Sequence, residues 1–271
     1  MSFDCAQDER SLWGARRMIL VACGMKREAR ALARDGVTVV TAGTDSARFE
    51  AELEAGFAAG ATAILSMGLA GALAPRLAVG DWVVGTLSPT GMERREWSVG
   101  AGAMRQPGER RTDPQPTARK EASSGWISRI AALLPGAVVG RIHADGSMIV
   151  TAAQKETLHF STRALACDME SHIAARVAAR HGLPFAVARV ISDGADRTLP
   201  HAVQVAMAPD GGIRIGAVLL AILIRPWQIP ALVGVGLDAG RAMKALARGY
   251  DVLARSGFGL GDQGKLALDM A

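Results

Sequence analysis

The chain has 271 residues, near the upper end for one domain, and 49% of them are hydrophobic, so a sizeable core can form. The net charge of +5 comes from scattered residues, without the basic stripe and interleaved aromatics of a nucleic-acid groove, so we expect no nucleic-acid partner. The three cysteines lie far apart and lack the paired spacing of a zinc site, so we expect no metal and reduced cytoplasmic thiols.

The first half of the chain alternates short apolar runs with helical patterns. Residues 1–16 are polar and predict a loose leader rather than a signal peptide. Apolar runs predict strands at 17–25, 37–43, 61–68 and 81–87, and helical spacing predicts helices at 26–34 and 48–60. Residues 99–124 are rich in Gly, Pro, Arg and Ser and predict a long surface loop.

The second half continues the alternation. We expect strands at 137–144 and 185–192, a helix at 151–160, and a helix that begins near Asp168 and ends at Gly182. Residues 213–256 are predicted to be mostly helical, with breaks at Pro226 and Pro230. Within them, IGAVLLAILI at 215–224 is about half the length of a bilayer span. We therefore expect a cytoplasmic protein with at most a peripheral membrane contact.

Strands that alternate with helices indicate the α/β class, and we predict a three-layer αβα sandwich around a mixed, largely parallel sheet. Residues 17–256 form one domain that includes a helical, apolar C-terminal extension from about residue 201, and 257–271 form a tail. In such sheets, ligands bind beyond the carboxyl ends of the strands. Gly24, Glu28, the run Gly68–Gly71 and Asp193 all follow strand ends and are therefore expected to meet at one edge.

Four segments, GMKREA (24–29), SMGLAGALAPRLAVGDWVV (66–84), DMES (168–171) and RVISDGAD (189–196), stand in an order that resembles the nucleoside phosphorylase and nucleosidase superfamily. The similarity is greatest to the branch with methylthioadenosine/S-adenosylhomocysteine nucleosidase. It implies cleavage of a purine N-ribosyl bond, in which positive charge develops on the ribose. It also implies a homodimer and no cofactor other than phosphate as an optional co-substrate.

The resemblance assigns roles to single residues. Asp193, held protonated by burial, would donate a proton to the base, and Glu28, with Arg189 beside it, would activate the attacking water. Glu170 would accept hydrogen bonds from ribose hydroxyls. The remaining substrate-binding candidates are Met169, Gly68, Leu69, Ala70, Gly71, Met148, Ile149 and Ser192.

Each assignment has a structural alternative. Asp193 can cap a turn, Glu170 can serve only the helix dipole, and Glu28 can be an exposed helix charge. Arg189 can form a structural salt bridge, and Met148 can be a core residue. Asp168 is interpreted as a helix cap rather than a catalyst.

Departures from the nucleosidase pattern favour a more apolar site, because Leu69 and Met148 replace a small polar residue and an aromatic one. The segment 208–236 resembles the hopanoid-associated phosphorylase branch, which implies adenosylhopane as substrate and ribosylhopane as product. The alternative is that 215–224 is an ordinary core or dimer-interface helix. Phosphate motifs are missing, so water is favoured as nucleophile, and Gly24 and Arg48 are the candidates if phosphate binds.

Four alternative functions can be compared with this hypothesis. A methylthioadenosine/S-adenosylhomocysteine nucleosidase and a phosphorylase acting on adenosylhopane both stay open. A carrier of lipid or nucleoside needs no acid and base, which argues against that reading. A dinucleotide-dependent oxidoreductase lacks its spaced glycine fingerprint.

Overall fold

The computed structural model describes residues 18–34, 37–88, 116–206 and 212–260. Seven strands are present: β1 (Met18–Cys23), β2 (Val37–Thr41), β3 (Ala61–Ala72), β4 (Trp82–Leu87), β5 (Val138–Ala144), β6 (Ala164–Asp168) and β7 (Phe185–Asp193). The predicted leader and residues 99–115 of the predicted loop lie outside the described ranges.

Eight α-helices occur in the described ranges. They are α1 (Lys26–Leu32), α2 (Ser46–Ala58), α3 (Pro116–Leu133), α4 (Ala152–Thr162), α5 (Ser171–His181), α6 (His201–Gln204), α7 (Ile215–Ile224) and α8 (Ile229–Arg255). Short 3₁₀ turns follow at Pro226–Gln228 and Gly257–Gly259. The loop prediction for 116–124 was wrong, since these residues belong to α3.

Local sequence explains where several helices begin and end. Asp45 accepts a hydrogen bond from the backbone N–H of Arg48 at the start of α2. Thr151 and Gln154 form a reciprocal capping box at the start of α4. Gly182 ends α5 at a φ of +70°, a conformation that glycine adopts without strain.

The sheet is mixed and largely parallel, and it curls until it closes on itself. Its order is β2-β1-β3-β6-β5-β4-β7, with β3 also paired to β7. Five of the pairings are parallel, and only β3 with β6 and β4 with β7 are antiparallel. The α/β class is confirmed, but the central layer is partly closed rather than an open sheet.

The three largest groups of buried apolar side chains lie around this sheet. One face packs against α1, α3 and α8 through residues such as Trp126 and Leu246. The other face packs against α2 and α5 through Phe49 and Val177. A third group, which includes Val83, lies where β3, β4, β5, β6 and β7 close together. Helices on both faces hold the carboxyl ends of β1, β3, β6 and β7 in place.

The C-terminal extension is helical, as predicted, and its chain reverses after α7. The two helices that flank Pro226–Gln228 are bent by 112° relative to each other. Pro230 falls in the first turn of α8 and does not break it, because that turn needs no proline N–H. In the part of the chain that the structure describes, no single helix is long and apolar enough to span a bilayer, although this bent pair passes that test by length and composition.

The predicted tail boundary at residue 257 falls too early. The indole N–H of Trp126 donates to the carbonyl of Phe258 at 2.8 Å, and the Phe258 side chain is buried. Residues 257–260 therefore belong to the domain, and the rest of the predicted tail lies outside the described residues.

Candidate active site

A cavity of about 260 Å³ opens at the carboxyl ends of β1, β3, β6 and β7. Its lining includes the predicted residues Gly24, Glu28, Leu69, Ala70, Gly71, Met148, Ile149, Met169, Glu170, Ser192 and Asp193. The sequence motifs are far apart in the chain, and the sheet brings them together as the strand-end rule predicts. Gly68 and Arg189 lie behind this lining, and Arg48 lies away from it.

Glu28 is one of the buried carboxylates of this cavity and is only 2% exposed. Its Oε2 accepts the backbone N–H groups of Gly24 at 2.9 Å and Met25 at 2.8 Å, and its Oε1 accepts that of Leu69 at 2.7 Å. Burial raises the pKa of Glu28, although Arg189 and these N–H groups act against the rise. The alternative of an exposed helix charge is therefore wrong.

Glu170 stands at the N-terminal end of α5 and faces Gly24. A Cβ on Gly24 would lie 2.8 Å from its Oε1, so only glycine allows the two segments to approach this closely. Burial, with the negative charge of Asp168 next in size, raises the pKa of Glu170 to about 8. A ligand that donates hydrogen bonds stabilises such a buried carboxyl group more than it would stabilise an exposed one.

Arg189 forms a buried network behind the cavity. Its Nε lies 3.0 Å from Asp168 Oδ2, and its Nη2 donates to the hydroxyls of Ser66 and Ser171 at 2.8 and 2.9 Å. Asp168 is the last residue of β6 and not the N-cap residue of α5, which is Glu170, but its Oδ1 accepts the backbone N–H groups of Glu170 and Ser171. The structural salt bridge that was considered as an alternative role for Arg189 is therefore present. Arg189 also remains next to Glu28.

Gly68 separates Arg189 from Glu28. A Cβ at this position would lie 2.6 Å from Nη1 of Arg189 and 2.8 Å from Oε1 of Glu28. Glycine is therefore required here by close packing rather than by contact with the cavity.

Asp193 ends β7 and lies beside Gly71 in the lining of the cavity. Its Oδ1 accepts from the Ser192 hydroxyl at 2.8 Å, and its Oδ2 lies 2.5 Å from Nζ of Lys155. Lys155 was not predicted from the sequence, because a single lysine in the helical segment TAAQKETLHF resembles an ordinary surface residue. The predicted turn-capping alternative does not account for this buried ion pair.

Arg48 was the candidate for phosphate and is occupied elsewhere. Its guanidinium donates to Glu52 and to the carbonyls of Thr41 and Ala42. Among the described residues, the lining of the cavity includes Glu28, Asp168, Glu170 and Asp193 and no lysine or arginine. The described lining therefore offers phosphate carboxyl groups rather than a cationic partner.

Apolar side chains cover the remaining wall of the cavity. They include Leu69, Met148 and Ile149 and, from the C-terminal part of the chain, Leu199, Val203, Val235 and Ala239. Met148 thus lines the cavity rather than the core. In the described ranges, no three His, Cys, Asp or Glu side chains are grouped so that they could hold a metal ion.

Comparison with known proteins places this arrangement in context. The family model described as the phosphorylase superfamily matches residues 11–224. None of the curated proteins compared with the chain matches it. Futalosine hydrolase of Helicobacter pylori shares the fold with a TM-score of 0.52 and 14% identity, over 89% of this chain and 98% of its own. A mutant of Helicobacter pylori MTAN with 5′-methylthioadenosine in its active site has a TM-score of 0.50 and 16% identity, over 87% and 98%.

Proposed function

Because the chain belongs to the phosphorylase superfamily and is an enzyme that acts on nucleosides, we propose that it cleaves the N-ribosyl bond of an adenine nucleoside with water as the nucleophile. The observation that carries this proposal is the grouping of Glu28, Glu170 and Asp193 around one cavity. These carboxyl groups come from three separate elements, and a carrier would gain nothing from burying them together.

The chemistry requires charge stabilisation on the sugar and a proton for the base. Glu170 accepts hydrogen bonds from the ribose hydroxyls and stabilises positive charge that develops on the ring. Asp193 delivers a proton to the departing adenine, which then leaves as a neutral base. Glu28 accepts a proton from the attacking water, and Arg189 holds the surrounding elements in register.

Water is favoured over phosphate by the charges of the site. In the part of the chain that the structure describes, four carboxyl groups and no cationic side chain line the cavity. Burial raises the pKa of Glu28, which suits a group that must accept a proton from water. Phosphorolysis of the same substrate is the second candidate, and phosphate dependence of the reaction distinguishes the two.

The substrate we propose is adenosylhopane, an adenine nucleoside attached to a pentacyclic lipid, with adenine and ribosylhopane as products in hopanoid biosynthesis. The apolar wall formed by Leu199, Val203, Val235 and Ala239 supports this choice, because it continues from the site onto α6 and α8. The resemblance of segment 208–236 to the hopanoid-associated branch supports it as well.

An exposed apolar surface lies next to this wall, and we call it the apolar ridge. Its side chains are 43–78% exposed, and they are Ile213, Ile215, Leu219, Leu220, Leu223, Ile224, Trp227, Ile229, Val233 and Leu237. The alternative that 215–224 is a core helix is therefore wrong for the single chain. A ridge of this kind is typical of an interaction site rather than of free surface.

We propose that the apolar ridge rests on the cytoplasmic face of a membrane that holds the lipid substrate. Exposed Arg214 and Arg225 flank α7, and no acidic residue stands between Gly212 and Leu237, which suits an anionic lipid surface. The protein should float with vesicles that contain phosphatidylglycerol. Replacing Leu219 and Leu223 with Ser should abolish flotation, whereas Val139→Ser, an exposed site outside the ridge, should not.

The same variants test the competing role of the ridge. We also propose that the protein is a homodimer, as the family resemblance implies. If the double Ser variant turns a dimer into a monomer and wild type never floats, the ridge is the dimer interface and the membrane proposal fails.

Adenine release tests the proposed reaction directly. Adenosylhopane and methylthioadenosine should each be supplied with and without phosphate, and free adenine should be measured. We expect release from adenosylhopane without phosphate, and a loss of at least about 100-fold in Asp193→Asn. Asp196→Asn, three residues along the chain and exposed, should keep its activity.

Each other outcome points to a different error. Strict phosphate dependence would replace water as the nucleophile. Faster reaction of methylthioadenosine would overturn the lipid substrate. No adenine from either nucleoside would overturn the reaction itself.

A further inference from the structure

Lys155 is completely buried and directs its ammonium group at the carboxyl group of the proposed acid. Its Nζ lies 2.5 Å from Asp193 Oδ2, and it also donates to the carbonyls of Gly194 at 2.8 Å and Arg197 at 3.0 Å. These three acceptors match the three protons of an ammonium group. Each N–H group of the buried ammonium therefore has its own acceptor.

The position of Lys155 restricts what it can do. It is 0% exposed and does not line the cavity, whereas Asp193 lines it. A Cβ on Gly71, another lining residue, would lie 3.2 Å from the same Oδ2 that contacts Lys155. Lys155 can therefore influence a bound nucleoside only through Asp193.

The other titratable groups near Lys155 and Asp193 are poorly suited to supply Asp193 with a proton. Lys155 therefore remains as the source. Cys167 on β6 has its pKa raised to about 12 by burial and by the charge of Asp193, so it stays a thiol. Asp168 on the same strand is paired with Arg189 at 3.0 Å. The guanidinium of Arg197 pairs with Asp238 at 2.8 Å, and Lys155 donates to the backbone carbonyl of Arg197.

We propose that Lys155 is the proton reservoir of the reaction, acting through Asp193, and this inference rests on the proposed function. As the N-ribosyl bond weakens, an N–H bond of Lys155 breaks and an O–H bond forms on Asp193. That O–H bond then breaks as the proton moves to a ring nitrogen of adenine. The bond electrons between ribose and base stay with the neutral adenine.

Every proton is accounted for once the adenine has left. Lys155 is left as a neutral amine and Asp193 as a carboxylate. Water adds to the ribose carbon and gives its proton to Glu28. Return of that proton through solvent to the pair restores the ammonium group, so that one water is consumed and no net proton is released.

The hydrogen bonds of Lys155 survive the transfer. A neutral amine still donates two N–H groups to the carbonyls of Gly194 and Arg197, and its lone pair accepts from a protonated Asp193. The geometry therefore supports both positions of the proton without leaving a buried polar group unpaired.

The pH profile of adenine release separates this role from a structural one. In wild type, the proton that reaches the base comes from Lys155 through Asp193. In Lys155→Met, Asp193 must carry the proton alone. We expect kcat/KM to fall about 100-fold and its alkaline limb to move to lower pH by more than about one unit.

A double variant keeps the test valid if Lys155→Met is unstable. Lys155→Met with Asp193→Asn replaces the ion pair with a neutral pair, so that neither charge is buried alone. If the lysine acts through Asp193, the double variant should be as slow as Asp193→Asn and no slower. Lys244→Met, at an exposed position on α8, should match wild type and controls for loss of a positive charge.

Four results would overturn the proposal that Lys155 is the proton reservoir of the reaction. One is a Lys155→Met enzyme whose kcat/KM equals that of wild type. A second is a Lys155→Met enzyme with an unchanged pH profile, and a third is an equal further loss when Lys155→Met is added to Asp193→Asn. The fourth, no adenine release from wild type, overturns the proposed function and the reservoir with it.

Discussion

The Nε of Arg189 lies 3.0 Å from Oδ2 of Asp168, and both side chains are almost completely buried. This ion pair joins β7, which ends in Asp193, to the turn before α5, which carries Glu170. The relative position of Glu170 and Asp193, two proposed catalytic residues, therefore depends on an ion pair between two other residues, Arg189 and Asp168. Ser66 and Ser171 complete the network by accepting from the same guanidinium.

Arg189→Met should destabilise the protein strongly, because it leaves the Asp168 carboxylate buried without its counter-charge. We expect a loss of about 3–5 kcal/mol in the free energy of unfolding, measured with urea. Arg176→Met removes an exposed pair with Glu50 and should cost at most about 1 kcal/mol. Similar losses in the two variants would contradict a special role for the buried network.

Glu170→Gln should change how stability depends on pH. The folded-state pKa of Glu170 is about 8, above its ordinary value of 4.5, so the folded protein binds more protons than the unfolded one between these values. Stability is therefore lost as pH rises from about 4.5 to 8, by up to about 1.4 kcal/mol per unit of pH. The melting temperature of the variant should fall less than that of wild type between pH 5 and pH 9.

Glu156→Gln supplies the matched control for this measurement, because Glu156 is exposed on α4. Its melting temperature should follow wild type across the range. If Glu170→Gln also follows wild type, the raised pKa of Glu170 is wrong.

The sequence predicted much of the site because apolar strands and the residues after them are readable in one dimension. Gly24, Glu28 and Asp193 meet because parallel strands end at one edge. Closure of the sheet was not predictable, since β3 meets β6 through only two residue pairs, Gly71 with Cys167 and Ala72 with Ala166. Lys155 carries no pattern at all, and only three-dimensional packing distinguishes it from a surface lysine.

Gly68→Ala should damage both stability and activity, because its methyl group would collide with Arg189 and Glu28. Those side chains cannot move freely, since each is fixed by buried hydrogen bonds or an ion pair. We expect a loss of about 1–3 kcal/mol in unfolding free energy and a clear loss of adenine release. Gly216→Ala, on α7 with open space around it, should stabilise by up to about 1 kcal/mol.

Glu28→Gln should remove the proposed base while keeping its size. A glutamine has one acceptor oxygen, so its NH₂ group would face either the N–H of Leu69 or those of Gly24 and Met25. We expect a cost of about 1–3 kcal/mol in unfolding free energy and a fall in kcat of at least about 100-fold. Both are measurable on one purified variant.

The pH dependence of adenine release by Glu28→Gln shows whether the variant has lost a catalytic base or the structure of its site. Burial raises the pKa of Glu28, so the rate of wild type should decline on the acid side at a pH above the ordinary carboxyl value of 4.5. In Glu28→Gln, a slow residual rate should remain. This rate should lack the part of the acid-side decline that Glu28 causes in wild type. A Glu28→Gln enzyme that releases adenine at the wild-type rate would assign the activation of water to another group.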